Sequence, residues 1–122
     1  MKTFVCLSLI GFFSIAADAV PNRPVQVGGS LDYDACGGSG VILATTTLFT
    51  VNSVGQIKFE KVELNQSAAS CDSEENGEFI GIVFGKPGQD CRVGSPIRDR
   101  APYSGPCKSG WVKKSFFELL AG

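Results

Sequence analysis

Val41-Ile42-Leu43-Ala44-Thr45-Thr46-Thr47-Leu48-Phe49-Thr50-Val51 is the stretch on which the fold turns. It is crowded with β-branched side chains, which are stiff at χ1 and favour strands over helices. Apolar residues fall on both faces at its start, as in a strand covered on two sides. Asn52-Ser53-Val54-Gly55 then supplies turn chemistry, and alternation resumes over Gln56–Leu64. Ile57 and Phe59 share one face, whereas Val62 and Leu64 have the other parity. That change of phase near Lys61 predicts a bulge or a strand end. The two segments together predict a β-hairpin.

Downstream, Asn65–Gly77 is polar, with Cys71 in its middle. Ser67-Ala68-Ala69-Ser70 is read as a short helical turn, and Asn76-Gly77 as a tight turn. Glu78–Phe84 is the most apolar run after the N-terminus and predicts a central strand, stopped by Lys86-Pro87-Gly88. Gln89–Gly110 holds Pro96, Pro102 and Pro106 and predicts a long surface loop. In Trp111–Leu120, Val112, Phe116 and Leu119 recur at helical spacing, with a final strand as the competing assignment. The expected class is therefore α+β, with a small antiparallel sheet of about four strands, one or two short helices and two disulfides. An all-β sandwich is the alternative.

The N-terminus has a different character. Lys2 precedes an apolar run from Phe4 to Ala17 that ends in Ala17-Asp18-Ala19, the pattern of a cleavable secretory signal. The run is shorter than the roughly 20 residues that span a bilayer. Residues 1–19 are accordingly read as a signal peptide. Residues 20–30, with Pro21, Pro24, Gly28 and Gly29, are read as a flexible leader, and 31–122 as one disulfide-stabilised domain.

Cleavage removes Cys6 and leaves Cys36, Cys71, Cys91 and Cys107. An even set in an oxidising compartment implies two disulfides, for which three pairings exist. The four lack a C-x-x-C pair, and the chain has no histidine, so structural zinc is not expected.

The 122 residues carry a net charge of −1, unevenly spread. Ile57–Glu78 holds two lysines against six acids, and Lys86–Lys114 holds seven basic residues against Asp90 and Asp99. The overall acidic balance argues against nucleic acid as a partner. Without histidine there is no Ser-His-Asp or Cys-His arrangement, and Gly37-Gly38-Ser39-Gly40 lacks the basic residue of a phosphate loop. That stretch is read as a flexible turn. The carboxylate pairs Asp32/Asp34 and Glu74/Glu75 sit outside any aromatic, sugar-stacking context. The chain is therefore read as no enzyme, with no catalytic residues, cofactor or metal. Asn65-Gln66-Ser67 is an N-glycosylation sequon. Arg98, Arg100 and Tyr103 are the candidate partner-binding residues, because Arg and aromatic side chains on an irregular loop have the composition of interface hot spots. Trp111 is assigned to the core.

This layout, with Tyr33-Asp34-Ala35-Cys36 at the start of the domain and Cys107 near its end, resembles the small secreted cysteine-containing effectors of plant-pathogenic fungi. Within that group it looks most like the secreted-in-xylem proteins. The resemblance implies a killer-toxin-like α/β fold and a virulence role, and it carries no functional residue across. The expected function is a secreted, extracellular, non-enzymatic effector that binds a host or co-secreted protein, with no membrane partner. The alternatives are a toxin or antimicrobial protein, and a protease inhibitor presenting the Cys91–Cys107 loop.

Overall fold

The computed structural model describes residues 20–122; the signal peptide assigned to 1–19, and Cys6 with it, lies outside the described residues. The chain forms β1 (Gln26–Val27), β2 (Gly38–Ile42), β3 (Thr46–Val51), β4 (Ile57–Val62), β5 (Ser67–Ser73), β6 (Phe79–Phe84), β7 (Ala101–Pro102), β8 (Lys108–Lys113) and β9 (Phe117–Ala121). One 3-10 turn, Lys114–Phe116, separates β8 from β9. Seven strands make one antiparallel sheet in the order β4-β3-β8-β6-β5-β2-β9, and β1 pairs with β7 as a separate ribbon.

Connection lengths bend this sheet. In a flat sheet, β2 and β3 would stand four strand spacings apart, about 19 Å. Residues 43–45 span at most about 14 Å between Ile42 and Thr46. The link from Val62 to Ser67 has the same four spacings to cross and reaches about 17 Å at most. The sheet must therefore curl, and its concave face closes on one core. Ile42, Leu48, Val62, Ala68, Ile82, Val112 and Phe117 form that core, one from each of the seven strands. Gly40 permits the tightest approach, because a Cβ there would lie 2.1 Å from the Glu118 carbonyl oxygen and 2.5 Å from the Phe117 ring.

The opposite face is covered over β5, β6 and β8. Val25 packs with Phe79 and Trp111, and Val27 and Ala35 pack with Val83 and Val93. A Cβ on Gly81 would sit 3.0 Å from the Val25 side chain, so that bare backbone is what lets the N-terminal segment lie flat on the sheet. A register shift between Ser70 and Asp72 leaves Cys71 as an extra residue in β5. Cys71 packs with the covering segment, and the next residue, Asp72, is buried there too.

The α+β expectation is thus corrected: the described residues are nearly all β, with seven strands in the main sheet and no α-helix. The helical arrangement implied by the effector resemblance is absent from them as well. Ser67–Ser70 is not a helical turn but the start of β5, which pairs with β2 and β6. Trp111–Leu120 follows the strand assignment, because Trp111 and Val112 are buried on opposite faces, which a helix at that spacing cannot do. The single strand read over Val41–Val51 is two strands, with the crossing at 43–45, and its two-sided apolar pattern comes from that junction. The hairpin is β3–β4, regular from Thr46↔Val62 to Val51↔Ile57 without a bulge at Lys61. Gly38–Gly40 is strand rather than flexible turn.

Residues 20–30 are packed rather than free, with Pro21, Val25 and Val27 buried and β1 paired to β7. The covering chain is cross-linked by Cys36–Cys71, and the 89–110 loop by Cys91–Cys107.

Candidate functional site

Two irregular segments, 28–36 and 93–97, run side by side beyond the sheet. Gly29 N–H donates to the Ile97 carbonyl at 2.9 Å, Ala35 N–H to Ser95 at 3.0 Å and Cys36 N–H to Val93 at 3.2 Å. Gly28 N–H closes the first segment on itself through the Ala35 carbonyl at 2.9 Å, and Ser30 bridges to Ile97. Residues 31–34 leave this ladder at Ser30 and return at Ala35, forming a short exposed tip next to the Ser30–Ile97 bridge, while Arg98 and Asp99 run on alongside Gly29 and Gly28. The tip carries Leu31, 69% exposed, and Tyr33, 74% exposed, flanked by Asp32 and Asp34. The Arg98 side chain, one residue beyond the bridge, is 79% exposed and lies 3.8 Å from the open Asp99. Below the tips, Val27, Ala35 and Val93 are buried, and Cys36 is bonded to Cys71 on the sheet. Exposed apolar, aromatic and cationic side chains are therefore carried on two adjoining loops whose bases are held by backbone hydrogen bonds, a core and a disulfide.

Asp72 anchors this platform from within. Its carboxylate accepts two hydrogen bonds from the Arg23 guanidinium, one from Arg100 Nη2 at 2.9 Å, and the N–H groups of Gln26 at 2.9 Å and Ser73 at 2.8 Å. Burial alone would raise the Asp72 carboxyl, but the Arg23 and backbone hydrogen bonds outweigh it and hold the group below the usual carboxylate range. Arg23 is raised in turn by its hydrogen bond to Asp72. Its guanidinium stacks 4.9 Å from the Trp111 ring, while Trp111 Nε1–H donates to the Arg23 carbonyl at 2.8 Å. One carboxylate on β5 thus ties down the N-terminal segment and the loop leading into β7.

Of the three partner-binding candidates, only Arg98 is freely displayed. Arg100 is committed to Asp72 and also reaches the Gly28 carbonyl at 3.4 Å. Tyr103 is half-buried, donates its hydroxyl to the Cys91 carbonyl at 2.8 Å and accepts the Cys107 N–H at 3.1 Å, so it braces the second disulfide. Asn65 is exposed in the turn between β4 and β5, at φ 69°, with its N–H bonded to the Ile42 carbonyl. Trp111 is fully buried. Glu74 is spent on the Phe79 N–H at 3.1 Å, and Glu75 is exposed.

Sequence reasoning missed Asp72 and Arg23, counting the first only among the six acids of Ile57–Glu78 and the second only within the leader at 20–30. They are 49 residues apart, and no local pattern marks either. It also passed over Leu31 and Tyr33, although an aromatic and an aliphatic among polar residues just before a cysteine is a signal that it contained.

Among the described residues no group of three or more acidic, cysteine or histidine side chains is placed to hold a metal, and no helix is long and apolar enough to cross a membrane. Two disulfides suit an oxidising, extracellular setting. Compared with known protein families, curated proteins and solved structures, the chain matches none of them.

Proposed function

We propose that this protein is secreted and acts without catalysis, as an effector that binds a host or co-secreted protein through Leu31, Tyr33, Ile97 and Arg98. The observation that carries the reading is the exposure of Leu31 and Tyr33 on a tip whose base is cross-linked. Large apolar side chains displayed on a pre-ordered loop lose little entropy when covered, and Tyr with Arg is the composition of binding hot spots. A second reading, inhibition of a trypsin-like protease, rests on Arg98, which stands open inside the Cys91–Cys107 loop while Arg100 is occupied by Asp72.

The test is affinity capture with the protein made in a secretory host, both disulfides formed, against Tyr33→Ala and Arg98→Glu variants with unchanged unfolding midpoints. Each variant is expected to weaken partner binding at least about tenfold, as truncating a hot-spot residue does. Retention of every partner by both variants removes the proposed surface. Inhibition of a trypsin-like enzyme that Arg98→Glu abolishes selects the second reading.

A further inference from the structure

β4 ends the seven-stranded sheet, and among the described residues β3 alone pairs with it. The hairpin decides which of its backbone groups are already used. Asn52 N–H donates to the Gln56 carbonyl at 3.1 Å, and the same register runs on through Thr50↔Lys58 and Leu48↔Glu60. Hydrogen-bonded and non-bonded pairs alternate along an antiparallel ladder. Lys58, Glu60 and Val62 therefore turn their N–H and C=O groups toward β3. Those of Ile57, Phe59 and Lys61 point out of the sheet. The same edge carries Phe59, 70% exposed and resting edge-on against Phe49 at 5.4 Å, and the partly exposed Ile57.

We propose that this edge is a self-pairing surface, on which two copies of the chain join β4 to β4, antiparallel, about a two-fold axis at Phe59. In that register Phe59 faces the partner's Phe59, and Ile57 faces the partner's Lys61. The three outward residues of each copy meet, giving six main-chain hydrogen bonds. Between them Lys58 stands opposite the partner's Glu60, twice by symmetry. These are non-bonded pairs, in which side chains approach most closely. Neighbouring registers fail on the same sequence. A slip of one residue sets outward groups against groups already bonded to β3. A slip of two sets Lys58 against Lys58 or Glu60 against Glu60. Charge complementarity and hydrogen-bond phase thus select one register, and the selected partner is a second copy of this chain.

Sedimentation velocity over a wide range of protein concentration tests this directly. The wild type is expected to pass from monomer to dimer as concentration rises. Lys58→Glu and Glu60→Lys each place like charges opposite one another twice, and each should weaken dimerisation by about tenfold or more. Glu60 also pairs with Lys108 at 3.4 Å on the exposed surface, so far-ultraviolet circular dichroism and unfolding midpoints confirm that each variant is folded. An equimolar mixture of the two variants restores both opposite-charge pairs and should dimerise like the wild type. A wild type that stays monomeric throughout overturns the proposal and makes Lys58 and Lys61 guards of a bare edge. A dimer indifferent to both substitutions overturns it as well, and so does a mixture that stays monomeric when each variant is folded.

Discussion

Replacing Asp72 with alanine removes the carboxylate that holds the N-terminal segment and the β7 loop to the sheet. Five hydrogen bonds end on it, three from arginines and two from backbone N–H groups. Breaking a buried ion pair from one side costs about 3–5 kcal/mol when the remaining charge is stranded. Here the Arg23 and Arg100 side chains are 39% and 44% exposed, so water recovers much of their solvation. What remains is the part-buried Gln26 N–H left unpaired and the lost charge-assisted bonds, about 2–3 kcal/mol in all. For a domain of this size that lowers Tm by about 10–20 °C. Equilibrium urea unfolding at pH 7, with disulfides intact, should show an earlier midpoint at an unchanged slope. Arg100→Met should cost about 1 kcal/mol, because Asp72 keeps Arg23 and its backbone donors. Arg23→Met should cost more than Arg100→Met, because the stack on Trp111 goes with it. A loss below about 0.5 kcal/mol for Asp72→Ala, the scale of a surface ion pair, refutes the anchoring role.

The same carboxylate sets an acid response. Its folded pKa lies below the unfolded value of about 3.9, so its contribution is complete above that pH and is lost as acidification passes through the lowered folded value. Urea midpoints measured from pH 7 downward should therefore converge between wild type and Asp72→Ala at the acid end, and a constant gap contradicts the assignment. Replacing Cys36 and Cys71 together with alanine should cost about 4 kcal/mol, and the Cys91/Cys107 pair about 3 kcal/mol, from the loop entropy released to the unfolded chain. The order follows from the separations of 35 and 16 residues, and unfolding midpoints check it. Gly40→Ala should destabilise by about 1–3 kcal/mol through overpacking against Glu118 and Phe117, whereas Gly37→Ala, with open space around it, should change little.

How much of this was readable in advance depended on how local the signal was. The β3–β4 hairpin was legible because Asn52–Gly55 is strong turn chemistry between β-branched runs, and β6 was legible as the most apolar run. Trp111 belonged to the core as expected. The break at 43–45 was not legible, since Leu43-Ala44-Thr45 contains no residue that marks a turn. Its cause is the curl of the sheet, which no short window contains. β5 was hidden because Ser67–Ser73 is polar and small; its strand character comes from being paired on both edges and bulged at Cys71. The helical spacing in Trp111–Leu120 was overridden by pairing to β6 and β2, tertiary context prevailing over a local period. At the site, Arg98 and Arg100 look equivalent in sequence. A carboxylate 28 residues from Arg100 separates their fates, one anchored and the other displayed.

The proposed binding role requires a rigid platform that presents a free tip. Amide hydrogen exchange tests that most directly. Gly29, Ala35 and Cys36, whose N–H groups are bonded across the two loops, and Gly28, whose N–H is bonded to the Ala35 carbonyl, should exchange slowly, together with Tyr103, whose N–H donates to the Val25 carbonyl at 2.9 Å. Leu31, Tyr33 and Asp34, at the tip, should exchange far faster. Protection at the first five with none at the tip is the predicted result. Fast exchange across the whole of residues 25–36 would contradict it.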